Sequence, residues 1–164
     1  MATLLALFAP AAALLALLAL APLLPLPPHL PRLLEWKSWP AELWLLALGG
    51  SLGTLAGLLD WRFHRRGERR IPRAEHRAEL FALALGVPLF ALLAAASVAR
   101  DPAPFLVPIV AVALAMAAAI AYDETRFHRT CTRYETALHR VLVGGEGLAF
   151  LAWLHWCYAG GPRG

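Results

Sequence analysis

Long apolar runs are the sequence feature that most constrains what this chain can fold into. Runs of about 20 residues recur along the sequence and are separated by short polar segments. A helix of about 20 apolar residues crosses the roughly 30 Å hydrocarbon core of a membrane. It also satisfies its own backbone hydrogen bonds where no water is available. Together with a hydrophobic content of 60%, these runs predict an all-α integral membrane protein.

Five apolar segments predict five transmembrane helices. Their expected ranges are 3–27, 41–60, 72–98, 105–122 and 132–158. The first segment is interpreted as a retained helix, because no Lys or Arg precedes it and Pro22 follows its small-residue site, which disfavours signal-peptide cleavage. The chain is therefore divided into an N-terminal helix with an outer linker, residues 1–40, and a helical bundle, residues 41–164.

A short motif occurs twice in the bundle region. The sequence Arg-Phe-His-Arg at 62–65 returns at 126–129, and a His-Arg pair follows each copy, at 76–77 and 139–140. Matched motifs between apolar runs indicate an internal repeat of two tandem parallel helical hairpins, which would pair as a four-helix bundle. The predicted halves are 41–99 and 105–158.

The positive charges predict the orientation of the chain. Of the 15 Lys and Arg residues, seven lie in 62–77 and four in 126–140. Cytoplasmic loops carry such an excess, so both histidine-containing loops are expected to be cytoplasmic, with the N-terminus inside and the C-terminus outside. The expected location is a bacterial-type inner membrane. This clustering favours contact with anionic lipid headgroups over nucleic-acid binding.

Two local patterns predict how the helices pack and begin. Gly49, Gly53 and Gly57 form one stripe of small residues, which lets two helices approach closely in lipid. Thr132 and Glu135 form a Thr-x-x-Glu capping box, which predicts a helix start at Thr132.

The histidines of the repeat are accompanied by acids at helical spacing. Residues four apart share one helix face, and Asp60 with His64, Glu124 with His128, and Glu135 with His139 all have that spacing. If the loops reverse near residues 70 and 133, four imidazoles lie at one depth of the bundle. The predicted metal ligands are His64, His76, His128, His139, Glu75, Glu124 and Glu135, with Asp60 and Asp123 as secondary candidates. The three glutamates are expected to bridge the ions or to bind one ion each.

Imidazole and carboxylate ligands suit iron, manganese or zinc. The two cysteines are expected on opposite sides of the membrane, so they do not form a pair of thiolate ligands. The pattern is similar in logic to that of di-iron carboxylate bundles, although its spacings are i,i+4 and it contains more histidine. We therefore predict a dinuclear site, with iron as the expected metal. If the chain is an enzyme, the site implies a metal-dependent membrane oxidoreductase that acts on a lipophilic substrate.

Other interpretations of the same residues remain open. Histidines in basic loops are often solvated, and acids among arginines often serve as salt-bridge partners. The chain would then be a non-enzymatic membrane protein whose Arg-rich loops bind anionic lipid or a partner subunit. Glu146 lies inside an apolar span, where an acid is costly and often functional. It is a further ligand, a hydrogen-bond anchor for a ligand, a proton-relay group as in a small transporter, or an acid paired with a neighbouring donor such as Tyr122.

Overall fold

The computed structural model describes residues 36–66, 72–128 and 131–160, and their regular structure is entirely helical. A short 3-10 helix at Trp36–Ser38 precedes four long helices, and the last of these continues as a π-helical turn at Trp156–Gly160. The predicted first span, 3–27, lies outside the described residues. The long helices are α1 (Ala41–Arg65), α2 (Arg73–Val98), α3 (Ala103–Phe127) and α4 (Arg133–His155).

All four helices are long and apolar enough to cross a membrane, which confirms the predicted membrane-spanning all-α class. A helix of 25 residues, such as α1 or α3, is about 37 Å long, so it exceeds the roughly 30 Å hydrocarbon core by about one turn. Both helices run past their predicted ends at residues 60 and 122. The additional turns carry the charged and histidine residues.

The predicted capping box at the start of α4 is confirmed. The Thr132 hydroxyl accepts a hydrogen bond from the Glu135 backbone N–H at 3.2 Å, and the Thr132 backbone N–H donates to Glu135 Oε2 at 3.3 Å. At the start of α2, Pro72 is the residue that precedes the first turn, where its missing N–H is not needed. These two sites fix where α2 and α4 begin.

The closest helix packing is between α1 and α4 and between α2 and α3. The predicted hairpins would instead place α1 beside α2 and α3 beside α4, and those neighbours contact each other less closely within the described residues. A short turn joins α2 to α3, so those two helices pack as antiparallel neighbours. The pairing of α1 with α4 has a different cause, which is the glycine stripe.

Backbone meets backbone where α1 crosses α4. A Cβ atom added to Gly49 would lie 2.6 Å from the Gly145 carbonyl oxygen, and one added to Gly145 would lie 2.7 Å from the Gly49 carbonyl oxygen. Neither position therefore accepts a side chain without moving the helices apart. The predicted role of the stripe in close helix packing is confirmed at Gly49 and Gly53, which are both buried.

The end of the bundle opposite the charged turns is held together by aromatic residues of α4 and of the π-helical turn that follows it. The Trp153 indole N–H donates to Ser97 Oγ on α2 at 3.0 Å, and the Tyr158 hydroxyl donates to the Pro102 carbonyl oxygen at 3.1 Å. His155 Nδ1 lies 2.8 Å from Glu42 Oε1 on α1. These contacts surround an apolar core that includes Leu43, Leu89, Ala96, Ile109, Trp153, Trp156 and Cys157.

We predict that Gly49→Ala destabilises the bundle, because the added Cβ meets a backbone oxygen that cannot rotate away. Overpacking of this kind costs about 1–3 kcal/mol. Thermal unfolding of the detergent-purified protein measures the change in stability. Gly50→Ala is the matched control, since nothing lies within 4 Å of its added Cβ. Equal unfolding temperatures for the two variants would contradict the close contact.

Candidate metal centre

Four helix ends meet at one end of the bundle, which we call the histidine end. Here α1 and α3 finish, at Arg65 and Phe127, and α2 and α4 begin, at Arg73 and Arg133. The terminal turns of all four helices therefore lie side by side. The side chains that they bring together are Asp60 and His64 of α1, Glu75 and Glu79 of α2, Asp123, Glu124 and the following His128 of α3, and Glu135 and His139 of α4.

His128 lies at the centre of this group. Its side chain is only 3% exposed, and its two ring nitrogens face different carboxylates. Nε2 lies 3.8 Å from Glu75 Oε1, whereas Nδ1 lies 3.5 Å from Asp123 Oδ2 and 3.4 Å from Glu124 Oε2. Both nitrogens are buried without a hydrogen bond. Such an arrangement is costly for a polar side chain unless another species binds there.

His139 connects the α2–α3 pair to the α1–α4 pair. Its ring lies 4.2 Å from the His128 ring, measured between centroids. Its Nδ1 is 3.5 Å from Glu124 Oε2 on α3, and its Nε2 is 3.4 Å from Asp60 Oδ1 on α1. One imidazole thus contacts acids from two helices that belong to different pairs.

His64 extends the group along α1. Its Nε2 lies 3.6 Å from Asp60 Oδ1 on the same helix and 3.4 Å from Glu135 Oε1 on α4. Glu135 is completely buried, and the same carboxyl group contributes to the capping box at Thr132. The local signal that starts α4 therefore also places a carboxylate beside His64.

The spacing between imidazole nitrogens and carboxylate oxygens is longer than a direct hydrogen bond and is compatible both with ion pairs, such as His76–Glu79 at 3.5 Å, and with shared coordination. Hydrogen bonds between such groups are about 2.7–3.2 Å long. Two ligand atoms that each lie about 2.1 Å from one ion, at a tetrahedral angle, are about 3.4 Å apart. The contacts of His64, His128 and His139 fall between 3.4 and 3.8 Å. By contrast, the pair at the other end, His155 and Glu42, is 2.8 Å apart.

Two sets of three residues could each hold a metal ion. Glu124, His128 and His139 form one set, and Glu75, Glu79 and His128 form the other, with the ligand atoms of each set within 4.8 Å of one another. We call them the outer triad and the inner triad. The outer triad is open at Glu124, whose side chain is 44% exposed, whereas Glu75 of the inner triad is buried. His128 belongs to both triads.

The charges of the histidine end also favour a bound cation. Six carboxylates lie close to the three imidazoles, so when all six are ionised the group is negative even with every imidazole protonated. Like charges at short range in a partly buried site repel strongly, and a divalent cation relieves that repulsion. The carboxylates are those of Asp60, Glu75, Glu79, Asp123, Glu124 and Glu135.

The structure brings together eight of the nine predicted ligands and leaves His76 apart. The His76 side chain is 52% exposed, and its Nδ1 contacts Glu79 Oε2 at 3.5 Å on the same helix. Glu79 was not predicted as a ligand, although it belongs to the inner triad. Glu79 is four residues from Glu75 and therefore lies on the same helix face. This spacing is the sequence signal that could have predicted Glu79 as a ligand.

Glu146 lies away from the triads, in the contact between α1 and α4. A Cβ atom added to Gly53 would come within 2.6 Å of Glu146 Oε1, so the acid lies directly on the glycine stripe. Within the described residues, no ion pair joins Glu146 to His139 or to another histidine. The alternative in which Glu146 is a packed acid fits this position, while a ligand role in either triad does not.

No protein family, curated protein or solved structure matches this chain.

Proposed function

We propose that this protein is an integral membrane metalloprotein with a dinuclear site at the histidine end of its four-helix bundle. His128 with its partners carries the proposal, because both ring nitrogens are buried, lack hydrogen bonds and face carboxylates at ligand-to-ligand spacing. The ligands would be those of the inner and outer triads. Asp60, Asp123, His64 and Glu135 would lie around them, and Asp60 would orient His139 through its Nε2.

Iron is the metal that we propose, with manganese and zinc as the other ions that this ligand set accepts. Imidazole and carboxylate groups suit all three ions, and no cysteine belongs to either triad. The site lies where the four helices begin or end, and this position supports access for metal ions from water. The charged turns lie at the ends of the four candidate spans, and we therefore propose that the site is near the level of the lipid headgroups.

Metal content tests the proposal directly. Detergent-purified protein that is supplied anaerobically with Fe²⁺ is expected to retain about two ions per chain, measured by elemental analysis. His128→Ala should lose this iron, and Glu124→Gln, at the exposed edge, should weaken its binding without a packing change. His155→Ala, at the opposite end of the bundle, is the histidine control and should retain the iron. Folded protein that retains no iron, manganese or zinc would contradict the proposal.

We further propose that the metal pair supports oxidation of a lipophilic substrate. The outer triad supports this step, because the 44% exposure of Glu124 leaves one side of the site open to an incoming molecule. A substrate dissolved in the bilayer could reach that side along the headgroup level. Two reduced quinols would supply four electrons and four protons, which convert one dioxygen to two waters.

Oxygen consumption tests this step. Iron-loaded protein in detergent with a lipophilic quinol and dioxygen is expected to consume one dioxygen for every two quinols oxidised. Metal-free protein and His128→Ala should show only the background rate, while His155→Ala should retain the activity. If iron-loaded protein leaves the quinol unoxidised, metal binding stands and the redox role fails.

A second candidate function is supported by the arginines around the histidine end. The eight described arginines at this end are all exposed, and the other end of the described bundle has only Lys37 and Arg100 as basic residues. Each basic residue near an anionic membrane surface contributes about 1 kcal/mol of attraction. Binding of anionic lipid by these eight residues, which we call the arginine ring, would therefore be a function in itself. The eight are Arg62, Arg65, Arg66, Arg73, Arg77, Arg126, Arg133 and Arg140.

Lipid-dependent stability distinguishes this second function. Adding phosphatidylglycerol to the detergent-purified protein should raise its unfolding temperature more than phosphatidylcholine does, and high salt should reduce the difference by screening. The double variant Arg62→Gln/Arg66→Gln should show a smaller rise. Lys37→Gln/Arg100→Gln is the matched control at the other end. Equal responses of the two double variants would contradict a specific role of the arginine ring.

A further inference from the structure

We propose that the imidazole ring of His128 is the bridge between the two metal ions, with one ion bound at each ring nitrogen. This inference rests on the proposed metal binding and adds how the two ions are connected. It differs from the arrangement expected from the sequence, in which Glu75, Glu124 or Glu135 could bridge the ions.

The first support is the membership of the two triads. Glu75 and Glu79 belong to the inner triad, and Glu124 and His139 belong to the outer triad. His128 is the residue that the two triads have in common. A carboxylate bridge would instead require one acid to belong to both.

The second support is the direction of the two ring nitrogens. Nε2 lies 3.8 Å from Glu75 Oε1 in the inner triad, and Nδ1 lies 3.4 Å from Glu124 Oε2 in the outer triad. A histidine that binds one metal usually donates the N–H of its other nitrogen to a carboxylate or carbonyl group. In His128 neither nitrogen makes a hydrogen bond, although both are buried. Both nitrogens are therefore placed to act as ligands.

A ring bridge fixes the separation of the ions. The two nitrogens of an imidazole are about 2.2 Å apart, and each metal–nitrogen bond adds about 2.0–2.1 Å, so the ions would lie about 6 Å apart. Sites in which two ions share carboxylate or water oxygens have separations of about 3.5–4 Å. To offer a lone pair at each nitrogen, the ring gives up its N–H proton to the solvent when the second ion binds.

The ring bridge also explains why the two triads differ in exposure. Each ion would lie in the plane of the ring, beside one of its two nitrogens. The inner ion would be next to the buried Glu75, and the outer ion would be next to the exposed Glu124. Small ligands would then reach the outer ion first. The inner ion would have a structural role in holding the His128 ring in position.

Zinc titration of single-ligand variants tests the bridge. Zn²⁺ binding to the detergent-purified full chain, measured by calorimetry and elemental analysis, should give two ions per chain. Glu79→Gln should weaken the binding of one ion, and His139→Ala should weaken the binding of the other. His128→Ala should lower the affinity for both ions by at least about 100-fold, because the loss of an outer-shell partner alone lowers metal affinity by about 10- to 100-fold. His155→Ala, whose ring contacts Glu42 at the opposite end of the bundle, is the control and should leave both affinities unchanged.

X-ray absorption of the zinc-loaded wild-type protein provides a measurement that does not depend on the folding of any variant. The ring bridge predicts imidazole scattering and no zinc scatterer at 3–4 Å. A zinc–zinc distance of 3–4 Å would overturn the ring bridge while supporting a dinuclear site. Saturation at one ion per chain would also overturn the bridge while leaving a metalloprotein. If the folded protein bound no metal at all, the proposed function itself would fail.

Discussion

The backbone contact between α1 and α4 at Gly49 and Gly145 is the constraint on which the rest of the structure depends. It holds two antiparallel helices in one register along their whole length. In that register Glu42 meets His155 at one end, and Asp60 meets His139 at the other. A shift of α4 by one helical turn would move these partners by about 5.4 Å, which exceeds every contact distance in the site. The geometry of the histidine end therefore depends on residues that have no side chains.

Lipid explains why small residues have this role. Apolar side chains gain little from contact with each other when the alternative is contact with lipid tails, so helices in a membrane associate mainly by close packing and polar contacts. In this bundle, close packing and polar contacts occur in different places. Glycines bring α1 and α4 together near the middle, and the Trp153–Ser97 hydrogen bond connects α4 to α2 at one end. At the other end, His139 connects α4 to α3 through Glu124.

The histidine end combines features that usually oppose each other. Glu75 and Glu135 are fully buried, yet they belong to a group with twice as many carboxylates as imidazoles. Burial of charged groups costs free energy unless opposite charges compensate for them. Bound cations would supply that compensation, and they would also join the two helix pairs through His128 and His139. Metal binding and bundle assembly are therefore expected to be linked, as in other sites that are formed only by the folded chain.

By itself the sequence determined the membrane class, the four described spans and the start of α4 at Thr132, because hydrophobic length and capping are local properties. It also indicated a cluster of imidazoles and acids near one boundary, from the i,i+4 pairs. Only the tertiary structure decided which face of each helix turns inward. Neighbouring residues point about 100° apart on a helix, so Glu75 can face the site while His76 faces outward. In a membrane helix the outward face is as apolar as the inward one, so the pattern of residues did not reveal this rotation.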